Sequence, residues 1–153
     1  METAATISNP IITNALLSAL EGAFMGDETN NGWMNGLGFS LEHLSAEAAS
    51  RSPAPGRPTP AAHADHIRVT FQAMQAWAKG ENPTVDWASS WKIANLNQRE
   101  WDDLRAVVRA EYENTQEAIR TSEGWTEKSL TSAMNNATHL AYHAGAIRQL
   151  IKL

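Results

Sequence analysis

Four long stretches of the chain repeat apolar residues every three or four positions, the spacing of an amphipathic α-helix. From this repeat and the residues that flank it, we predict helices near residues 10–26, 60–79, 97–121 and 127–150. The chain shows no credible run of alternating apolar and polar residues, which would mark a half-buried β-strand. The pattern therefore predicts an all-α fold.

Residues with known preferences for helix ends support these boundaries. Pro10 and Pro60 suit the first turn of a helix, where the missing backbone N–H costs nothing. Asn97 can cap the third long helix with its side-chain oxygen. Gly26 and Gly80 follow the first two helices, and glycine favours the left-handed backbone found at helix C-termini.

More than thirty residues separate the first long helix from the second. The Asn- and Gly-rich residues 27–38 indicate a loop. Ser40 can cap a short helix over residues 41–49, which carries His43 as a cap or boundary residue. Four prolines within residues 51–60 exclude regular structure there. This segment is long enough to cross a bundle from end to end.

These features predict a four-helix bundle with a long crossover between helix 1 and helix 2. The link between the third and fourth long helices is short, so we expect those two helices to be antiparallel neighbours. A length of 153 residues fits one domain with a sizeable core, and we expect a single domain over residues 1–153.

Composition narrows the classes of function. The net charge is −5 and the first fifty residues contain no Lys or Arg, so no basic stripe is present to bind nucleic acid. The absence of cysteine excludes disulfides, a Cys nucleophile and thiolate metal ligands. The N-terminus lacks the basic region of a signal peptide, and its apolar run is too short to span a membrane. We therefore expect a cytoplasmic protein that binds neither membrane nor nucleic acid.

The last helix carries a pair of histidines that could bind a metal. His139 and His143 are four residues apart and lie on one helical face, a spacing at which two imidazoles can bind one divalent ion. Leu140 stands where helical zinc peptidases have a catalytic Glu. A third ligand is most plausible on the second long helix, where His63 and His66 both qualify. Three neutral imidazoles leave coordination positions open, as in catalytic zinc sites.

Three segments together resemble the DinB/YfiT-like superfamily. They are Thr59–Arg68, Trp77–Glu81 and His139–Gln149. The last segment is the most specific, because it closely resembles the H-x-x-x-H-x-G-Q-I-R-Q motif of that family. It departs from the motif at Ala146, where the family often has Gln.

The resemblance implies a four-helix bundle, usually a homodimer, with one divalent metal held by three histidines. Zinc and nickel are the candidate metals. By position, His66, His139 and His143 match the three ligands, and His63 is the rival for the place of His66. Some relatives are transferases or isomerases that use a low-molecular-weight thiol such as bacillithiol or mycothiol. Many relatives have no known activity.

These observations favour a metal-dependent enzyme that acts on a small molecule, with a thiol-dependent transferase as the reaction that the resemblance implies. The alternative is a non-catalytic metal- or ligand-binding, stress-associated dimeric bundle, and a third hypothesis is a structural interaction module. A bound metal would lower the pKa of a coordinated thiol or water. Since the chain has no cysteine, a thiol would have to come from outside.

No catalytic residue can be assigned from the sequence. A metal hydrolase would need a carboxylate base, and Asp65, Glu42 and Asp86 are candidates without a distinguishing feature. Six tryptophans are present, and most of them are expected in the core. Those on the connectors could instead wall the mouth of a pocket; they are Trp33, Trp87 and Trp91.

Overall fold

A computed structural model describes residues 10–26 and 35–151, which form six α-helices and one 3₁₀ turn. The long helices are α1 (Pro10–Met25), α4 (Pro60–Ala78), α5 (Gln98–Arg120) and α6 (Glu127–Ile151). Two short helices, α2 (Leu37–Glu42) and α3 (Ala46–Ala49), lie between α1 and α4 in the chain, and the 3₁₀ turn is Ser89–Trp91. The all-α prediction is confirmed, and each boundary of a long helix lies within one residue of its predicted position. Trp33 and most of the predicted loop 27–38 lie outside the described residues.

Local chemistry explains why the long helices begin and end where they do. The Asn97 side chain accepts a hydrogen bond from the backbone N–H of Glu100, whose carboxylate accepts one from the N–H of Asn97. The Thr59 hydroxyl accepts from the N–H of Ala62 and thereby caps α4. Gly80 ends α4 with a φ of +79°, a left-handed backbone that glycine adopts without strain.

The described part of the link between α1 and α4 contains two short helices instead of the predicted single helix over 41–49. Ser40, predicted as a cap, lies inside α2 and donates to the Gly36 carbonyl, whereas Ser45 caps α3. The break between them coincides with a tertiary contact. The buried Leu44 uses its carbonyl to accept a hydrogen bond from the Trp101 indole at 2.8 Å. This contact with α5 competes with continuation of the helix.

In the bundle, α1 and α4 each pack against both α5 and α6. Within the described residues α5 and α6 share no extended contact, so the prediction that they are neighbours was wrong. Their link of residues 121–126 could span up to roughly 20 Å when extended. The diagonal of a bundle with interaxial distances of 8–10 Å is only about 11–14 Å. A short link therefore permits a diagonal pair as well as an adjacent one.

The core lies between the four long helices and includes the buried face of α2. Each of the four long helices contributes to its largest fully buried side chains, which include Leu20, Phe24, Phe71, Trp101 and Ile147. Burial of each such side chain contributes about 1.5–3 kcal/mol. Val107 of α5 lies outside this core, with 40% of its surface exposed. None of the helices in the described ranges has the length and apolar character needed to cross a membrane.

Candidate metal centre

Three histidines meet where α4 packs against α6. His66 comes from α4, and His139 and His143 come from α6; one ring nitrogen of each lies within 4.8 Å of the others. The ring centroids are separated by 5.3 Å for His66 and His139, 5.1 Å for His66 and His143, and 4.5 Å for His139 and His143. The geometry is therefore compatible with three ligands on one divalent ion.

The pair on α6 already has nearly the separation that a shared metal requires. The Nε2 atoms of His139 and His143 are 3.0 Å apart. Two nitrogens bound to one tetrahedral zinc at roughly 2.0–2.1 Å lie about 3.3 Å apart. Only a small outward shift of the two rings separates the observed arrangement from that value.

The site lies at the edge of the core, with one side closed and one side open. His143 is 2% exposed because it shares the inner face of α6 with Asn136, Leu140 and Ile147. His66 and His139 are only partly buried. This placement packs His143 into the core and leaves His66 and His139 partly exposed to solvent.

The 3₁₀ turn holds the His66 ring in one orientation. The Ser90 hydroxyl donates to the Trp87 carbonyl at 2.7 Å, and His66 Nδ1 lies 3.0 Å from the Ser90 oxygen. A hydroxyl has a single proton, so Ser90 must accept the second bond and His66 must carry its proton on Nδ1. The lone pair of His66 is therefore on Nε2, where it can bind a metal.

His63 does not join the group of three, and contacts His143 instead. Its Nδ1 lies 2.8 Å from His143 Nδ1, on the side of that ring opposite the Nε2 that faces His139. His43 lies away from the cluster, is exposed, and bonds through Nδ1 to the Phe39 carbonyl.

Tryptophans cover one side of His66. The Trp91 ring stacks on the imidazole with a centroid separation of 4.2 Å, and the Trp87 ring lies 5.9 Å away. Trp87 in turn contacts Trp77, and these two side chains are 40% and 43% exposed. The last turn of α4, which carries Trp77, therefore extends beyond the core.

The three converging histidines and the neighbouring His63 all favour the neutral form. Burial is the main cause and, together with repulsion from the neighbouring imidazoles, lowers the pKa of His143 to about 3 and that of His66 to about 4. Burial also lowers the pKa of His63 and of His139. Near pH 7 the cluster therefore presents uncharged imidazoles, the form that binds metals.

Each of the three candidate carboxylates is bound elsewhere. Asp65 accepts a hydrogen bond from Arg68 at 2.7 Å, and Glu42 pairs with Arg109. Asp86 accepts from the backbone N–H of Ser89. Asp65 nevertheless lies near enough to His66 for its negative charge to oppose the fall in the pKa of that imidazole.

Sequence reasoning missed the roles of Ser90 and of the contact between His63 and His143. The only signal for Ser90 was its place between two connector tryptophans, in Trp87–Trp91. For His63 the signal was its position one turn before His66. Neither signal states which side-chain atom meets which, because that depends on how α4 and the connector pack against α6.

Comparison with known proteins adds independent support. The family model of the DinB superfamily matches residues 32–147, about three quarters of the chain, including all three clustered histidines. No curated protein and no solved structure matched the chain. The fold, the histidine positions and the family match agree with the resemblance seen in the sequence, and the chain belongs to the DinB superfamily.

Proposed function

We propose that the protein is a divalent-metal-dependent enzyme acting on a small molecule, and that His66, His139 and His143 hold the metal. The convergence of three neutral imidazoles from two helices carries this proposal. Imidazole ligands suit both zinc and nickel. Three protein ligands leave a position open for a substrate or water, as in catalytic rather than structural zinc sites.

The site favours transfer of an external thiol over hydrolysis. When bound, a divalent metal would lower the pKa of a coordinated thiol or water. Hydrolysis needs a nearby general base, and the three candidate carboxylates are all paired with other groups. Since the chain has no cysteine, the thiol is a separate low-molecular-weight molecule in this proposal.

The tryptophans beside His66 would bind the apolar part of the second substrate. Trp77 and Trp87 leave about two fifths of their surfaces exposed, and Trp87 lies directly beside the His66 ring. Exposed indole rings offer a large apolar contact area at a small cost in conformational entropy. This surface suits a small electrophile with an aromatic or apolar group.

The proposal also includes a cytoplasmic homodimer of single-domain subunits. Large apolar side chains are exposed on α1 and α6, with Ile11 at 77%, Met134 at 54% and Tyr142 at 69%. Exposed apolar groups on two helices that pack side by side support a helical subunit interface.

A thiol-conjugation assay tests the catalytic part. Protein loaded with zinc or nickel would be mixed with monochlorobimane and, in turn, with bacillithiol, mycothiol and cysteine. We expect a metal-dependent rate with at least one thiol, lost in His143→Ala and retained in the control His43→Ala, whose ring lies outside the cluster. Metal binding without conjugation of any thiol would favour the non-catalytic metal-binding bundle.

A further inference from the structure

His63 and His143 form a buried contact that metal binding by itself does not require. Their Nδ1 atoms are 2.8 Å apart, and the two residues are 8% and 2% exposed. The His63 ring is also held edge-on against Trp91, with a centroid separation of 5.2 Å and an interplanar angle of 89°. A close nitrogen pair at this depth is a hydrogen bond, so one nitrogen carries a proton and the other accepts it.

Two proton arrangements satisfy the chain of three rings formed by His63, His143 and His139. In the first, His143 Nδ1–H donates to His63, and His139 Nε2–H donates to His143 Nε2. In the second, His63 Nδ1–H donates to His143, and His143 Nε2–H donates to His139. Each neutral imidazole carries one proton in both cases.

Metal binding at His143 is compatible only with the first position of the proton between His63 and His143, in which His143 Nδ1 carries it. A metal on His143 Nε2 needs the lone pair of that atom, so the proton of His143 must be on Nδ1. His63 must then accept through its own Nδ1 and carry its proton on Nε2. The proton between the two Nε2 atoms must also leave, which places the proton of His139 on its Nδ1.

We infer that His63 is a positioning residue, which accepts the Nδ1–H of His143 and so directs the Nε2 lone pair of His143 toward the metal. The inference rests on the proposed metal site and adds a residue to it. It also assigns α4 two tasks one turn apart: His66 contributes a ligand, and His63 orients a ligand that belongs to α6. Displacement of α4 relative to α6 would therefore disturb both at once.

A matched pair of variants separates the hydrogen bond from packing. In His63→Asn, the side-chain oxygen attaches at the same branch point as Nδ1 of the imidazole and can accept the same bond. His63→Leu has the same branching as Asn but no acceptor. Zinc affinity would be measured by competition with a chromophoric chelator, with far-UV circular dichroism as the check of folding and with His143→Ala as the reference for loss of a ligand.

We expect His63→Leu to weaken zinc binding about 10- to 100-fold, the range typical of lost outer partners of metal ligands, and His63→Asn to stay within about threefold of the wild type. Equal zinc affinity of His63→Leu and the wild type would overturn the inference and leave the proposed metal site standing. Equal losses of affinity in His63→Leu and His63→Asn would do the same. Loss as complete as in His143→Ala would make His63 a ligand and overturn it too. If the wild type binds zinc no better than His143→Ala, the proposed function fails and the inference fails with it.

A measurement on the unaltered protein covers the case in which a variant does not fold. Long-range ¹H–¹⁵N correlation spectra distinguish the two imidazole tautomers. In the zinc-loaded wild type we expect His143 to be protonated on Nδ1 and unprotonated on Nε2, and His63 to be protonated on Nε2. Zinc on His143 Nδ1, or a proton on His63 Nδ1, would overturn the inference.

Discussion

Replacement of Ser90 by alanine removes the group that orients His66. The Ser90 hydroxyl accepts from His66 Nδ1 at 3.0 Å and donates to the Trp87 carbonyl at 2.7 Å, and Ser90 is 1% exposed. The variant therefore loses two hydrogen bonds at a buried position. It removes the hydrogen bond that orients the His66 ring and leaves the Nδ1–H of His66 without this partner.

The size of the effect follows from the burial of the two partners. Loss of an outer partner of a metal ligand costs about 10- to 100-fold in affinity, or about 1.4–2.7 kcal/mol. The His66 ring is only partly buried, so water can replace the hydroxyl in part. We therefore expect the lower end of the range, about tenfold weaker zinc binding. Loss of the bond to the Trp87 carbonyl separately lowers the free energy of unfolding by about 1 kcal/mol.

Ser89 provides a matched control in the same turn. It is exposed, and its hydroxyl donates to the Asp86 carbonyl without contacting any of the clustered histidines. Competitive zinc titrations of Ser90→Ala, Ser89→Ala and the wild type would be compared at one pH. Equal affinities for Ser90→Ala and Ser89→Ala would refute the assignment of Ser90 as the partner that holds His66.

Three further predictions concern stability and assembly. Folding lowers the pKa of His143 from 6.5 to about 3, so below about pH 7 the unfolded chain binds more protons at this residue than the folded chain does. The metal-free protein should therefore lose about 2 kcal/mol of unfolding free energy between pH 7 and pH 5 from this group. An unfolding free energy from urea denaturation that does not change with pH would contradict this prediction. Trp101→Phe leaves the Leu44 carbonyl without its donor in a closed core and should lower the free energy of unfolding by about 2–4 kcal/mol. A decrease below about 0.5 kcal/mol in the same assay would contradict the packing described. Light scattering at about 10 μM should give twice the monomer mass, and the monomer mass would count against a stable dimer.

The helix boundaries could be predicted because the signals that set them are local. The capping box at Asn97, the Thr59–Pro60 start and the stop at Gly80 each act within one turn of the chain. The short helix over 41–49 could not be predicted correctly. Its break coincides with the bond between Leu44 and Trp101, which are far apart in sequence. The order of the helices around the bundle was also missed, because a link of six residues can reach the diagonally opposite helix as well as an adjacent one.

The candidate site also contains residues that the sequence could predict and residues that it could not. The pair His139 and His143 follows directly from helical periodicity, since four residues nearly complete one turn. Periodicity alone did not separate His63 from His66, because both lie on the side of α4 that faces α6. The choice of His66 came from the family resemblance, and the structure brings that residue into the group of three and His63 against His143. Ser90 depends on the path of the connector, for which the sequence carries no periodic signal.

Metal content of the purified protein tests the central claim most directly. Protein prepared without an affinity tag, incubated with zinc or nickel and freed of excess ion, would be analysed for metal by elemental mass spectrometry. We predict about one equivalent per chain for the wild type and His43→Ala, with loss of the tightly bound metal in His66→Ala and His143→Ala. Wild-type protein without bound metal, or metal retained in both cluster variants, would contradict the assignment of His66, His139 and His143 as a metal centre.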